Sequence, residues 1–191
     1  MKAPFSPEVA CFPGSRRGFS CQEPEPEANN YPPVISPEKH LAYAVGYLAL
    51  DLHPQARAEL TDLSPEFLAT PPALQLRVEI AMASNAWNEV VELAPELVAV
   101  DNTAERPWIA WAYALRELQR IHEAQEILFT GRRLITDPDP IVDYNLACYA
   151  CLLGELDDAR MLLADVCARD PAWREIALAD SDLTALDLDL T

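Results

Sequence analysis

Tyr144 to Pro171 reads YNLACYACLLGELDDARMLLADVCARDP, two apolar runs of helical length on either side of the break Gly154-Glu155. Leu146, Ala147 and Ala150 recur at i, i+1 and i+4, one face of a helix. Ala159, Leu162, Leu163 and Val166 do the same beyond the break. Gly154 ends the first helix because it accepts a positive φ without a Cβ clash. Asp170-Pro171 ends the second, since proline disfavours the α region in the residue before it. The stretch therefore predicts a helical hairpin, one unit of about 34 residues.

Working outward, the same unit recurs. Starting points at Pro37, Pro71, Glu105 and Pro140 are 34, 34 and 35 residues apart. In that register position 8 is Ala44, Val78, Ala112 and Ala147, and position 20 is Ala56, Val90, Ala124 and Ala159. Small residues are needed where helices approach closely. Position 24 is Leu60, Ala94, Leu128 and Leu163, apolar throughout. Ser36-Pro37 predicts an N-cap and first turn for the first unit, and Ala56, Leu60 and Leu63 a buried face for its second helix. Ser84-Asn85 predicts the turn of the second unit. Pro95, inside that unit's second helix, removes a hydrogen bond at about 3 kcal/mol and predicts a kink.

Over residues 37 to 171 the chain resembles a tetratricopeptide repeat protein, carried best by Asn145, Leu146, Ala147, Gly154, Ala159 and Pro171, then by Trp108, Ala112, Ala124 and Leu128. The first two units depart from the pattern. The resemblance implies an all-α, right-handed α-solenoid of about four helical hairpins (near 37–70, 71–104, 105–139 and 140–173). Asp180 to Leu186, Asp-x-Asp-Leu-x-x-Leu, resembles a terminal segment that often ends such arrays in bacteria, and residues 174–191 are expected to cap the array. After Pro171, Trp173, Ile176, Ala177, Leu183 and Leu186 are the expected apolar contacts.

The flanking sequence and composition set limits on function. Residues 1–36 hold seven of the 17 prolines and no sustained periodicity, which predicts a disordered tail. Arg16-Arg17 within it looks like the start of a twin-arginine signal, but no apolar stretch follows, which argues against export. An upstream start-codon assignment is another origin for such a leader. The chain of 191 residues is half apolar, has 5 glycines and carries a net charge of −17. That charge repels nucleic acid and anionic lipid headgroups, so neither is an expected partner. From Asp137 onward there are 13 acids against 3 bases. Five cysteines, Cys11, Cys21, Cys148, Cys151 and Cys167, lack the spacing of a disulfide scaffold, so a reducing cytoplasm is the expected compartment.

No catalytic constellation is legible. Cys148 and Cys151 form a CxxC in mid-helix, without the preceding strand and helix N-terminus of a redox site and without two further zinc ligands. His40, His53 and His122 fall in different hairpins, and no cofactor is expected. Asp157-Asp158 sits at a helix start, where the macrodipole favours it. The resemblance implies instead a concave groove lined by the first helix of each hairpin. It places Leu41, Val45 and Leu48 there in unit one, and Gln75, Glu79 and Met82 in unit two. Arg106, Ile109, Tyr113 and Arg116 follow in unit three, and Tyr144, Cys148 and Cys151 in unit four. Two arginines beside a tyrosine suit a carboxylate or a peptide backbone, unless they only balance Glu79 and Glu117. The Lys and Asn of a chaperone-tail clamp are missing, because Leu41 and Val45 stand at those positions. The expected function is a non-catalytic scaffold or adaptor that binds a protein or peptide segment. An escort chaperone for secreted proteins and a thiol or metal protein using Cys148 and Cys151 are the alternatives. The apolar stripe of unit one also suits packing on the tail or self-association.

Overall fold

The computed structural model describes residues 35–187; residues 1–34 of the leader expected to be disordered, with Cys11 and Cys21, and residues 188–191 lie outside them. Among the described residues the chain is all-helical and contains no strand. The helices are α1 Pro37–Ala49, α2 His53–Leu60, α3 Pro65–Leu68, α4 Pro71–Ala83, α5 Trp87–Val100, α6 Glu105–Glu117 and α7 Ile121–Leu134. They continue with α8 Pro140–Leu152, α9 Leu156–Arg169, α10 Trp173–Ala179 and a 3-10 helix, Ser181–Leu186. No helix among them is long and apolar enough to cross a membrane.

α1, α4, α6 and α8 begin at Pro37, Pro71, Glu105 and Pro140, the expected unit starts, and each is 13 residues long. A shared turn explains the equal lengths. Asp51, Asn85, Gln119 and Gly154 have φ of 61°, 55°, 62° and 81°. Their N–H groups donate to Leu48, Met82, Arg116 and Cys151. The next N–H in each case donates to Tyr47, Ala81, Leu115 or Ala150 at 2.8–2.9 Å. This is the paired bonding of a Schellman motif, and it satisfies carbonyls that a helix end leaves open. Glycine adopts that backbone freely only in the fourth hairpin; aspartate and asparagine tolerate it better than the glutamine of the third.

Unit one departs from its neighbours. Its second helix stops at Leu60, so Leu63 is buried from the following loop and not from the helix. The extra turn α3, which periodicity does not predict, then forms, with the Ser64 hydroxyl accepting from Phe67 N at 3.2 Å and Pro65 in the first turn. Ser36 takes the N-cap position of α1, yet its carbonyl accepts from Lys39 and His40 while its hydroxyl makes no capping bond. α5 is unbroken from Trp87 to Val100 with half-buried Pro95 inside it.

The apolar interior is laid out in chain order as three clusters. Ala44, Ala56, Leu60, Leu76 and Ile80 join α1 and α2 to one face of α4. Leu74, Val78, Val90, Ala94 and Ala114 join its other face to α5 and α6. Trp108, Leu128, Val142, Leu146, Tyr149 and Leu163 anchor the largest cluster, which runs from Val98 of α5 through α9 and ends on Leu183 and Leu186. A buried carboxylate ties the last two hairpins together: Asp143 accepts from Arg132 Nε and faces Arg169 at 3.5 Å, while Arg169 also donates to the Pro138 carbonyl at 2.8 Å. Both arginines leave one side in water, which lowers the desolvation penalty of the pair.

Candidate functional site

One face of α4 forms the wall of a cleft of about 1090 Å³, completed by the end of α5 and the start of α6. Pro71, Gln75, Val78, Glu79 and Met82 recur at helical spacing along it. Eleven residues of rise make that wall about 17 Å long. Val78 and half-buried Met82, Leu97 and Ile109 supply an apolar floor, and Val100 is exposed at its edge. Gln75, Glu79, Met82, Arg106 and Ile109, all expected in the groove, meet here. Leu97 and Val100 of α5, and Asp101 just past its end, lie outside the first helices that the resemblance places on the concave face.

The cleft's carboxylates have neutral partners. Glu79 accepts from the Gln75 amide at 3.0 Å. Asp101 accepts from the Thr103 hydroxyl at 2.7 Å and its N–H at 2.9 Å, and these bonds hold its carboxyl below the usual range. Glu105 accepts from Asp139 N at 2.6 Å. Arg106 is exposed and makes no ion pair or hydrogen bond among the described residues.

The other half of the expected groove is covered. Tyr144, Cys148 and Cys151 are 4%, 3% and 3% exposed, because the C-terminal segment packs on α8. Tyr144 donates to Asp180 Oδ2 at 2.7 Å and packs on Trp173 with ring centroids 4.7 Å apart. Cys148 Sγ lies 3.6 Å from the same Asp180 oxygen. Arg116 donates through Nε to Asp182 at 2.8 Å, through a second nitrogen to the other Asp182 oxygen, and to Glu117 at 2.6 Å. The two arginines therefore do not form one carboxylate site: ten residues of helix, about 15 Å, separate them, and Arg116 is already neutralised. Tyr113 stays partly exposed, its ring edge-on to Trp87 at 5.7 Å. Ile176, expected among the apolar contacts of the segment, is 49% exposed, whereas Ala177, Leu183 and Leu186 are buried.

Elsewhere the polar groups serve the fold. A cavity of about 170 Å³ between α2, α4 and α5 is lined by Arg57 and Arg77. Arg57 is held there by Glu89 at 2.6 Å and Ser84 at 2.8 Å. His40 pairs with Glu59 and His53 with Asp51, both at 2.8 Å. No group of three or more His, Cys, Asp or Glu side chains among the described residues could hold a metal ion. Burial pushes the Cys148 and Cys151 thiols up, away from the thiolate that redox chemistry uses. In comparisons with known proteins, neither a family model nor a curated protein matches the chain.

Proposed function

We propose that this chain is a non-catalytic interaction module of the tetratricopeptide type, which holds a segment of another protein in the cleft between α4, α5 and α6. The observation that carries this reading is the cleft itself: a long apolar floor, open to solvent, flanked by charged side chains. Soluble domains bury such surface unless something else covers it. The repeating turn at Asp51, Asn85, Gln119 and Gly154 supports a solenoid of stacked hairpins, in which each unit buries its apolar face against its neighbours. Nucleic acid and anionic membranes are poor partners for a chain of charge −17.

The escort-chaperone reading draws on a separate observation, the exposed Tyr43, Val45 and Leu50 of the first hairpin. An affinity pull-down read by mass spectrometry separates the two. The cleft reading expects a partner retained by the wild type and lost by a folded Met82→Glu/Ile109→Glu variant. Retention by that variant, with loss in Tyr43→Ser/Val45→Ser, would move the binding surface to α1.

A further inference from the structure

Three carboxylates, Glu79, Asp101 and Glu105, surround the apolar floor, against the single guanidinium of Arg106. Their hydrogen-bond donors are an amide, a hydroxyl and backbone N–H groups, which fix the carboxylates without cancelling their charge. Three carboxylates at contacts between helices are held differently. Asp143, Asp182 and Glu89 each face an arginine. The carboxylates of the cleft, like Glu155 and Asp170 elsewhere, have neutral donors and keep their charge open to a cationic partner.

The walls also select a conformation. They are helices whose backbone groups bond internally, and the Gln75 amide is held by Glu79. An extended segment laid on the floor would find only the Arg106 guanidinium and the three carboxylates at its edge for its own N–H and C=O groups, which are costly to leave unpaired. A helix satisfies its backbone by itself. A floor about 17 Å long accepts roughly three helical turns.

From this juxtaposition we infer that the occupant of the cleft is an amphipathic helix of another protein, carrying apolar residues at i, i+3/i+4 and i+7 flanked by Lys or Arg. The inference rests on the cleft being the docking site and adds the conformation and charge of what docks. Basic side chains at the flanks meet Glu79, Asp101 and Glu105, and the apolar stripe meets Val78, Met82 and Ile109. Charge of this kind steers encounter and excludes acidic competitors more than it adds affinity.

The test uses the full chain and three fluorescein-labelled peptides of about 12 residues, roughly 18 Å as helices. The first has leucines on one face and lysines beside them. The second replaces each lysine by glutamate, and the third has the composition of the first with the leucines scattered. Fluorescence anisotropy is read at low and high salt. The patterned lysine peptide is expected to bind about tenfold or more tighter than either control, a difference of about 1.4 kcal/mol. That binding is expected to be lost in Met82→Glu/Ile109→Glu, and Glu79→Lys is expected to narrow the preference for lysine over glutamate. Equal binding of the scattered peptide would reduce the effect to general attraction by an acidic chain and overturn the inference. Binding of the glutamate peptide that is lost in Met82→Glu/Ile109→Glu would keep the cleft and overturn its charge preference. Absence of any binding sensitive to that variant would overturn both the inference and the docking reading beneath it.

Discussion

At Gly131 a single methyl group decides how closely α7 approaches α6. A Cβ there would lie 2.5 Å from Trp108 Cγ and 2.7 Å from Cδ2. The indole has little room to yield, because its Nε1 donates to the Asn102 carbonyl at 3.0 Å and its ring stacks on Trp111 at 6.1 Å. Alanine raises helix propensity by about 1 kcal/mol over glycine, whereas overpacking a core costs about 1–3 kcal/mol. Gly131→Ala is therefore expected to lower stability in urea, by about 1 kcal/mol net. Gly46, with nothing within 4 Å of an added Cβ, is the internal control, and Gly46→Ala is expected to raise stability by up to about 1 kcal/mol. Equal effects at the two sites would refute the close-approach argument.

A pH effect belongs to the same scale. Burial raises the Cys148 thiol, with the Asp180 carboxylate adding to the shift, and burial also raises the hydroxyls of Tyr144 and Tyr149. Each group stays neutral in the fold above its ordinary value of 9.0 or 10.0. Folded pKa values above unfolded ones contribute stability that is fully present below about pH 9 and lost as pH rises through the folded values. Melting temperature is expected to hold steady up to about pH 8.5 and then fall, less steeply at first in Cys148→Ala. A flat profile through about pH 10.5 would contradict the burial of these groups.

Among the elements, the hairpins and the apolar contacts of the C-terminal segment were legible, and the polar contacts of that segment were not. Proline at a helix start (Pro37, Pro71, Pro140), asparagine or glycine past a helix end (Asn85, Gly154) and small residues at fixed spacing are local signals, and the unit starts fall 34 or 35 residues apart. The Arg116–Asp182 pair joins residues 66 apart, and nothing periodic marks it. Tyr144, Cys148 and Cys151, expected to line the groove, are covered where the chain folds back onto its own α8. α3 escaped for a different reason: four residues are too few for a hydrophobic period, although Ser64-Pro65 carries the same cap signal as Ser36-Pro37. The segment's hold on α8 predicts a coupled change. Asp182→Ala leaves Arg116 with Glu117 alone and is expected to lower stability by about 1–3 kcal/mol. Alkylation of Cys148 and Cys151 in the native protein is expected to accelerate in the same variant. Loss of stability without faster alkylation would mean that buried Leu183 and Leu186, and not the ion pair, keep the segment seated.

Across residues 35–187, burial is light in the first hairpin and heaviest in α8. α1 buries only Ala44, and α2 only Ala56 and Leu60. α8 buries Val142 to Tyr144 and Leu146 to Cys151, enclosed by α7, α9 and the C-terminal segment. Where hairpins pack chiefly on their sequence neighbours, stability behaves as a sum of unit and nearest-neighbour contributions, so units open separately. The amides of α1 and α2 are then expected to exchange through local opening, well before those of α8, whose opening requires disrupting both sides of its packing. Hydrogen exchange followed by mass spectrometry, on peptides covering α1 and α8, reads the difference directly. Low urea should accelerate α1 first and leave α8 protected until the global transition. Exchange of both helices at one rate would mean that a single cooperative unit unfolds, and the nearest-neighbour account would fail even with the helices in place.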